Sequence, residues 1–587
     1  MYIKRFPKRS DGDYSVFIAM SVKGSKQRKI IERYDSYFDL KKKYGDAEKY
    51  LKDRINLLSQ EYLTDDDCVD VKIDLNKPID ISEFDFNASK NAGYLFLQKA
   101  YYDLGIESFL NKWKFSSNSK IEYPLNNASR FLVYARVEEP CSKLAVSKKN
   151  HDYLEDFDCS LDDLYDCLDR IDTFSQQLTK KLSKVCSKQF GGHSEAIYYD
   201  CTNFYFEIQN PDDENGLRDY GVEKNHRPDP IVEYGLLLDE RGFPIGSATF
   251  RGGKSEKESL IPLLSDAGEE ATKAKIIVAD NGLNCETNKK AIHDTGRNYI
   301  FCQSPKQLSE ANLSPLFDEK GWENYDHNKK VKSWWIKRGN GREERLVARF
   351  DQASCDFVNH TIDQRIERAK KFINNPSRLT YKNCQDGKQY IEKIVVDKKT
   401  GEVLKDKSVL SLNSNLIEKD RKYAGYILYV TDIPRLKDNE DGSFTKAAKQ
   451  GYRVEYKEDI EIIKIAGRRN DIEDCFRKMK TGMDAHPIFV RTPEHIRAHL
   501  FTVYIALTLL MYIQGRYAKD MTTEKLLQAI RNYVICRFDD KKLLFATGYY
   551  NKEINELNEK MNFKTMNRKY LNWPMIKKLI SKSKNKE

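Results

Sequence analysis

Three acidic residues stand in contexts that ask for a counter-ion. Asp200 lies within AIYYDCTNFYFE (Ala196–Glu207), an aromatic, β-prone run where a carboxylate is costly to bury unless it is paired or meets a cation. Asp280 ends the apolar run IIVAD, at the expected C-terminal tip of a strand, where open α/β sheets commonly place ligands. Glu473 follows Ile472 on a segment of helical periodicity. Arg469, Arg477 and Lys480 flank it at offsets −4, +4 and +7, a spacing that predicts one shared helix face. Carboxylates are the hard oxygen donors that suit Mg²⁺. Two such ions ~3.5–4 Å apart can activate a water and stabilise the leaving oxyanion of a phosphodiester, while the basic neighbours of Glu473 would hold phosphates in line. Taken singly, an Asp at a strand end also serves turns and caps, and an i,i+4 charged face is also an ordinary salt-bridged surface. The three acids in their order of elements carry more than any one of them.

The elements that must position these acids read as follows. Tyr234–Asp239 and Phe243–Phe250, separated by the turn Glu240–Gly242, predict two strands after the one that carries Asp200. Helical Glu256–Ala267, the strand Ile276–Ala279, a helix near Glu286–His293 and the strand Tyr299–Gln303 complete the series. Three meandering strands followed by α-β-α-β is the order of an RNase H-like core: an α/β fold with a mixed five-stranded sheet and flanking helices. Residues 311–454 interrupt that order with short β-like runs, Arg345–Phe350 and Tyr390–Val396, and helical Asp363–Ile373, and are expected to form an inserted β-rich subdomain.

The chain thus divides into residues 1–90 (a small β-hairpin, Tyr14–Met20 with Arg28–Tyr34 around a basic turn at Gly24–Lys26, then one Lys-rich helix, Tyr37–Gln60), 91–192 (a helical DNA-binding or dimerising domain), and 193–310 (first part of the catalytic core). Residues 311–454 are the insertion, 455–520 the second part of the core with the Glu473 helix, and 521–587 a basic helical tail.

Composition sets the outer bounds. The 587 residues include 40% hydrophobic and 32% charged side chains, and 12% aromatics, which excludes a disordered chain. The net charge of +10 permits a nucleic-acid partner without demanding one. Basic residues gather locally at Lys4–Arg5, Lys8–Arg9, Lys26 with Arg28–Lys29, Lys41–Lys43 and from Arg568 to Lys586, each of which can equally be a solvated face. The 12 cysteines form no C-x-x-C pair, so neither a zinc ribbon nor a disulfide framework is expected. The longest apolar run, Leu500–Ile513, falls short of the ~20 residues that span a bilayer and predicts a buried helix. The N-terminus lacks a signal-peptide core. These features point to a cytoplasmic protein without a membrane partner, and the abundance of Lys, Asn, Tyr and Ile to an AT-rich bacterial genome.

With these residues in place, the chain resembles the DDE insertion-sequence transposases, in the branch with a β-rich insertion between the second Asp and the Glu. YYDCTNFYF carries Asp200, and VADNGL carries Asp280. HRPDPIVEYGLLLDERGFPIGSATFRGGKSEKESL resembles the strand-turn-strand segment with its F-x-G-x-x-S-E turn. RNDIEDCFRKMKTGM resembles the glutamate signature, with Arg469, Glu473 and Lys480 matching R-x3-E-x6-K, and HPIFVRTPEHIRAHLFTVYIAL resembles the helix that follows. GYLFLQKAYYDLGI and RVEEPCSKLAV match the upstream helices more loosely, so the likeness covers most of Gly93–Leu510.

The resemblance implies that Asp200, Asp280 and Glu473 hold two Mg²⁺, with Mn²⁺ as substitute, and that Arg469 and Lys480 contact transposon-end DNA. It implies cleavage at the terminal repeats of double-stranded DNA, joining of the 3′-hydroxyls to target DNA, a dimer on DNA, and a nucleoid-associated location. The signature ordinarily starts with Tyr seven residues before the Glu, where this chain has Ala466. A Trp in such insertions can accept a flipped base, which singles out Trp334 and Trp335 in KSWWIKRGNGR, although paired tryptophans also serve packing. Two other functions stay open: an RNase H-like nuclease without strand transfer, and a catalytically impaired, transposase-derived DNA-binding protein.

Overall fold

A computed structural model describes residues 2–7, 13–21, 28–61, 89–117, 121–191, 194–221, 229–266, 273–338, 342–374, 388–395, 408–435, 456–539 and 544–586. The basic turn at Gly24–Lys26 and the pair Lys8–Arg9 lie outside them. The chain forms two compact units, one of residues 1–174, 478–485 and 498–587, the other of 175–477 and 486–497.

The first unit opens with three antiparallel strands, β1 (Tyr2–Pro7), β2 (Tyr14–Ser21) and β3 (Arg28–Tyr34), so the expected hairpin has a third strand at its edge. Val16 and Ile18 pack against Leu40, Ala47, Leu51 and Leu58 from two helices, α1 (Tyr37–Tyr44) and α2 (Ala47–Glu61). The single helix expected over Tyr37–Gln60 breaks because Gly45 takes φ 71°, a left-handed conformation that ends a helix cheaply only at glycine.

Next come β4 (Ser89–Asn91) and helices α3 (Tyr94–Asp103), α4 (Ile106–Ser116), α5 (Leu125–Glu138), α6 (Lys143–Ser147) and α7 (Leu161–Phe190), the last running on into the second unit. An aromatic cluster of Tyr94, Phe131, Tyr134, Tyr153 and Phe157 joins α3 to α5, with the Phe131 and Phe157 rings stacked at 4.8 Å.

The second unit is built on one nine-stranded sheet. β5 (Ala196–Tyr205), β6 (Ile231–Leu238) and β7 (Pro244–Arg251) form an antiparallel meander. α8 (Leu260–Asp266) leads to β8 (Ile276–Ala279), which lies parallel to β5 on its other side. α9 (Glu286–Asp294) leads to β9 (Asn298–Gln303), parallel to β8. Ile197, Tyr199, Leu237, Ile277, Ala279 and Phe301 from these strands share one buried core with Leu260, Leu263 and Ile292 of the crossover helices.

The insertion departs from the expected five-stranded sheet with a separate subdomain. After α10 (Glu310–Phe317), strands β10 (Glu323–Asp326), β11 (Lys329–Lys337) and β12 (Glu343–Asp351) run antiparallel. α11 (Gln352–Asn374), a two-stranded ribbon of β13 (Ile391–Val395) and β14 (Ser408–Leu412), and α12 (Ser414–Lys422) follow. β15 (Tyr426–Thr431) then returns to lie between β9 and β12. The physical reason is the edge that β9 would otherwise present: a buried strand must satisfy its outer N–H and C=O groups, and β15 does so from Leu428↔Gln303 to Thr431↔Ile300.

α13 (Asp459–Gly467) then packs on β11 and β12, and α14 (Asn470–Arg477) on β5. The π-helical turn Lys478–Gly482 belongs to the first unit, and α15 (Pro493–Tyr517) starts in the second unit and continues in the first. α15 is long and apolar enough by composition to cross a membrane, but 89% of its apolar window is buried inside the protein.

The expected helical tail is also corrected. After α16 (Thr523–Asn532), β16 (Val534–Asp539) and β17 (Leu544–Thr547) precede α17 (Lys552–Lys560), β18 (Tyr570–Asn572) and α18 (Trp573–Ser583). The strands form a sheet with β4 in the order β18-β17-β16-β4. Ile576 and Leu579 are buried, and Ser583 accepts a hydrogen bond from Gln98 Nε2 at 2.9 Å, so this segment completes the core of its unit. Gly93 allows the junction: a Cβ there would lie 2.0 Å from the carbonyl oxygen of Ile530.

Candidate functional site

Asp200 and Asp280 stand beside each other where a ladder ends. The parallel pairing of β5 with β8 stops at Tyr199↔Ala279, and the two aspartates are the next residue on each strand. β5 continues against β6 alone, so Asp200 is the one half-buried position in an otherwise buried strand. Strand alternation explains its direction. Ile197, Tyr199 and Cys201 enter the core, so Asp200 faces the other side, where α14 packs. Ile472, Cys475 and Phe476 fasten α14 down, which leaves Glu473 on its solvent side.

Arg469, immediately before α14, joins the acids. Its Nη1 lies 3.6 Å from Asp280 Oδ1 and its Nη2 3.0 Å from Glu473 Oε1. Burial works against the guanidinium's charge, but Cys302, Asp280, Glu473 and Asp200 outweigh it and raise its pKa above the ordinary arginine value. The three acids named from the sequence therefore act on one cation, itself named from the sequence.

The loop after β8 is pinned to β9. Asn281 Oδ1 accepts from the Ser304 amide at 3.2 Å, and Asn284 Nδ2 donates to the Cys302 carbonyl at 3.1 Å and to Gln303 Oε1 at 3.0 Å. Burial pushes the Cys302 thiol up to about 12, with Arg469 opposing and the neighbouring Asp280 adding to the rise. Near neutral pH Cys302 is a thiol, so it can donate to Asp280 but is a poor nucleophile. Glu256 is a fourth carboxylate at this loop: a Cβ on Gly282 would sit 2.8 Å from Glu256 Oε2. Sequence reasoning passed over Cys302, Asn284 and Glu256. Glu256 lay within the S-E turn already marked, whereas nothing in YIFCQ distinguishes Cys302.

Other expected site residues fall elsewhere. Arg469 and Glu473 keep their i,i+4 pairing, but the single face running on to Lys480 is interrupted. α14 ends at Arg477, and Lys480 lies on the π-helical turn that follows, whose wider winding changes the phase of the side chains. Arg477 is 68% exposed and pairs with Asp474 instead. Ala466 is buried in α13.

Trp334 is engaged in packing. Its Nε1 donates to the Asn312 carbonyl at 2.9 Å, and its partly buried ring packs against two hydrophobic clusters. Trp335 points to the opposite side of β11, the face shared with Ser333, whose hydroxyl donates to Asp459 of α13 at 2.8 Å.

The donor set fits a hard divalent cation in chemistry. Carboxylate oxygens from the sheet and from the helix are the hard donors such an ion takes, and one guanidinium bridges two of them, Asp280 and Glu473. Among the described residues no three His, Cys, Asp or Glu side chains already converge as a cation would require, and Arg469 lies among the acids that would have to close. Compared with known protein families and with curated proteins, the chain matches none of them.

Proposed function

We propose that the protein is a DNA transposase of the DDE type, with an RNase H-like catalytic core. The observation that carries the reading is the bridging of Asp280 and Glu473 by Arg469, with Asp200 on the neighbouring strand adding to the negative field on the guanidinium. The strand order β7-β6-β5-β8-β9, a meander followed by two parallel strands, supports it as the order such a core would have. Asp200 and Asp280 would hold divalent ions from the sheet and Glu473 from the helix. When bound, Mg²⁺ or Mn²⁺ would polarise the scissile phosphate and lower the pKa of an attacking water. Arg469 would donate to the phosphate oxygens and hold them in line for attack. Water would serve as the first nucleophile and the freed 3′-hydroxyl as the second, which makes the reaction hydrolysis followed by transesterification. Because two transposon ends must meet, the working form would be a dimer on double-stranded DNA.

The test uses the full chain with double-stranded fragments carrying the DNA on either side of its own coding sequence, in Mg²⁺ or Mn²⁺. The expected result is a cut leaving a 3′-hydroxyl. Asp200→Asn, Asp280→Asn and Glu473→Gln should each abolish the cut while retaining binding in a gel shift. Cleavage indifferent to all three substitutions would overturn the assignment of the acids. Binding without cleavage in either metal would favour a transposase-derived DNA-binding protein instead.

A further inference from the structure

Arg469 is placed unlike a simple phosphate contact. A side chain waiting for DNA is expected to reach into solvent, as Arg477 does at 68% exposure. Arg469 is instead 21% exposed and turned inward, its two terminal nitrogens divided between Asp280 on the sheet and Glu473 on the helix. It therefore stands among the oxygen atoms that a divalent cation would need. A guanidinium bridging two carboxylates is a sound counter-ion, because its planar fork presents paired donors to both. It is a poor one in charge, since it offers one positive charge to the two carboxylates it bridges. Arg469 is the turn residue between α13 and α14, its amide donating to the Ala466 carbonyl at 3.2 Å and its carbonyl accepting from the Ile472 amide at 3.1 Å, so the exchange asks only its side chain to move.

We propose that Arg469 is a built-in counter-ion for the acidic site, one that must withdraw from Asp280 and Glu473 before the site can take a divalent cation, and that a DNA phosphate is what receives it. The inference rests on the reading of the three acids as cation ligands. It makes cation loading and phosphate capture one linked event. Without DNA, Arg469 holds the carboxylates and weakens cation binding. With DNA, its guanidinium passes to a phosphate, and the acids close on the ion. Linkage requires the two effects to be equal: by whatever factor DNA strengthens cation binding through Arg469, the cation strengthens DNA binding. The benefit is that the nuclease centre is fully charged only when its substrate is present.

The experiment measures Mn²⁺ affinity of the full chain by calorimetry or by the electron paramagnetic resonance of free Mn²⁺, without DNA, for the native sequence, Arg469→Gln and Asp280→Asn. The expected result is that Arg469→Gln binds Mn²⁺ about tenfold more tightly, inside the ~5–150-fold range of ordinary coupling, while Asp280→Asn loses the site. Adding a double-stranded oligonucleotide should then tighten Mn²⁺ binding in the native protein by a similar factor and change Arg469→Gln much less.

A purely structural role for Arg469 predicts the opposite sign, weaker Mn²⁺ binding in Arg469→Gln, and that outcome overturns the proposal. So does unchanged affinity. Thermal unfolding of the variant guards against a folding defect, and Arg469→Lys, which keeps the charge but loses the fork, should fall between the two. If the native protein and Arg469→Gln bind Mn²⁺ only as weakly as Asp280→Asn, the acids are not cation ligands and the reading beneath the proposal fails with it. If Asp280→Asn alone abolishes binding and Arg469→Gln is no tighter, only the counter-ion role fails.

Discussion

Two clusters of charge sit on the same sheet and are built on opposite principles. Around Glu344 on β12, which is fully buried, one carboxylate meets Lys289 Nζ at 2.9 Å, Arg338 Nε at 2.6 Å and the Tyr299 hydroxyl at 2.7 Å. Burial alone would raise the pKa of Glu344. The charge and hydrogen bond of Lys289, with Arg338 and Tyr299, reverse that and hold it below the ordinary glutamate range. Around Arg469 the balance is inverted, with two carboxylates bridged by one cation, and Asp280 and Glu473 keep 44% and 55% of their side chains in water. A structural ion network brings as many partners as its buried charge requires. A site intended for a ligand leaves charge unmet at an accessible place, and that distinction separates the two clusters better than the number of acids does.

Breaking each cluster should show the contrast most strongly. Glu344→Ala leaves Lys289, which is only 2% exposed, with the more distant Glu286 carboxylate at 3.8 Å as its remaining ion pair. The expected loss is about 3–5 kcal/mol of stability, read by urea denaturation, with activity falling only as far as the folded fraction falls. Asp280→Asn should do the reverse. Its stability is expected to stay within ~1 kcal/mol of the native protein, because the charge it loses is half-exposed and partly repelled by its neighbours. Cleavage should fall by more than the ~10–100-fold that changes outside the ligand shell produce. Equal losses of stability in the two variants would erase the distinction.

Trp334 sharpens the same contrast between structure and chemistry. Since its ring packs on the core and its Nε1 is satisfied, Trp334→Ala should cost about 2–3 kcal/mol, less than the ~3–5 of a fully buried tryptophan. Cleavage by the folded fraction should be unchanged. A cleavage defect beyond the measured unfolding would restore to Trp334 the base-accepting role expected from the sequence.

How far the sequence could be read depended on whether a feature was local. β5, β8 and β9 were legible because strands buried on both faces read as apolar runs, and Ile276–Ala279 ends where the run ends. Asp200, Asp280 and Glu473 were legible because acids in or beside such runs stand out. The enlargement of the sheet was not, since β15 meets β9 across 125 residues of chain at Leu428↔Gln303, and no local signal encodes that register. β16 pairs with β4 across a still longer separation, and a short strand such as Val534–Asp539 between helices carries little alternation to detect. The bridging by Arg469 was half legible. The i,i+4 spacing foretold its bond to Glu473, while its bond to Asp280 depends on how α14 docks on β5.

The pH dependence tests the sheet core from its acidic side. Burial pushes Asp432 up from the ordinary aspartate range to about 7, against the hydrogen bond it accepts from the Tyr299 amide at 3.0 Å. In the folded protein this carboxyl keeps its proton over a range where the unfolded chain releases it. Its contribution is fully present below about 4 and is lost as pH rises through about 7. Asp432→Asn removes that titration while keeping an acceptor for Tyr299. The melting temperature of the variant should therefore decline less between pH 4 and 7 than that of the native protein. Parallel declines would mean that Asp432 is already ionised in the folded state, and that the sheet tolerates an unmatched buried charge outside the candidate site.

The smallest expected effect concerns Arg477, the solvent-facing counterpart of Arg469. Its ion pair is with Asp474 and it is 68% exposed, so Arg477→Ala should leave stability within ~0.5 kcal/mol. If Arg477 lies against a phosphate in the DNA complex, the substitution weakens binding equally for all sequences. The logarithmic salt dependence should then become shallower by about one unit, as expected for one lost phosphate contact. Mn²⁺ affinity without DNA should stay where it was, because Arg477 holds neither Asp280 nor Glu473. A salt slope that does not move would place Arg477 outside the DNA path and leave Arg469 as the arginine of this segment that answers to both the acids and the substrate.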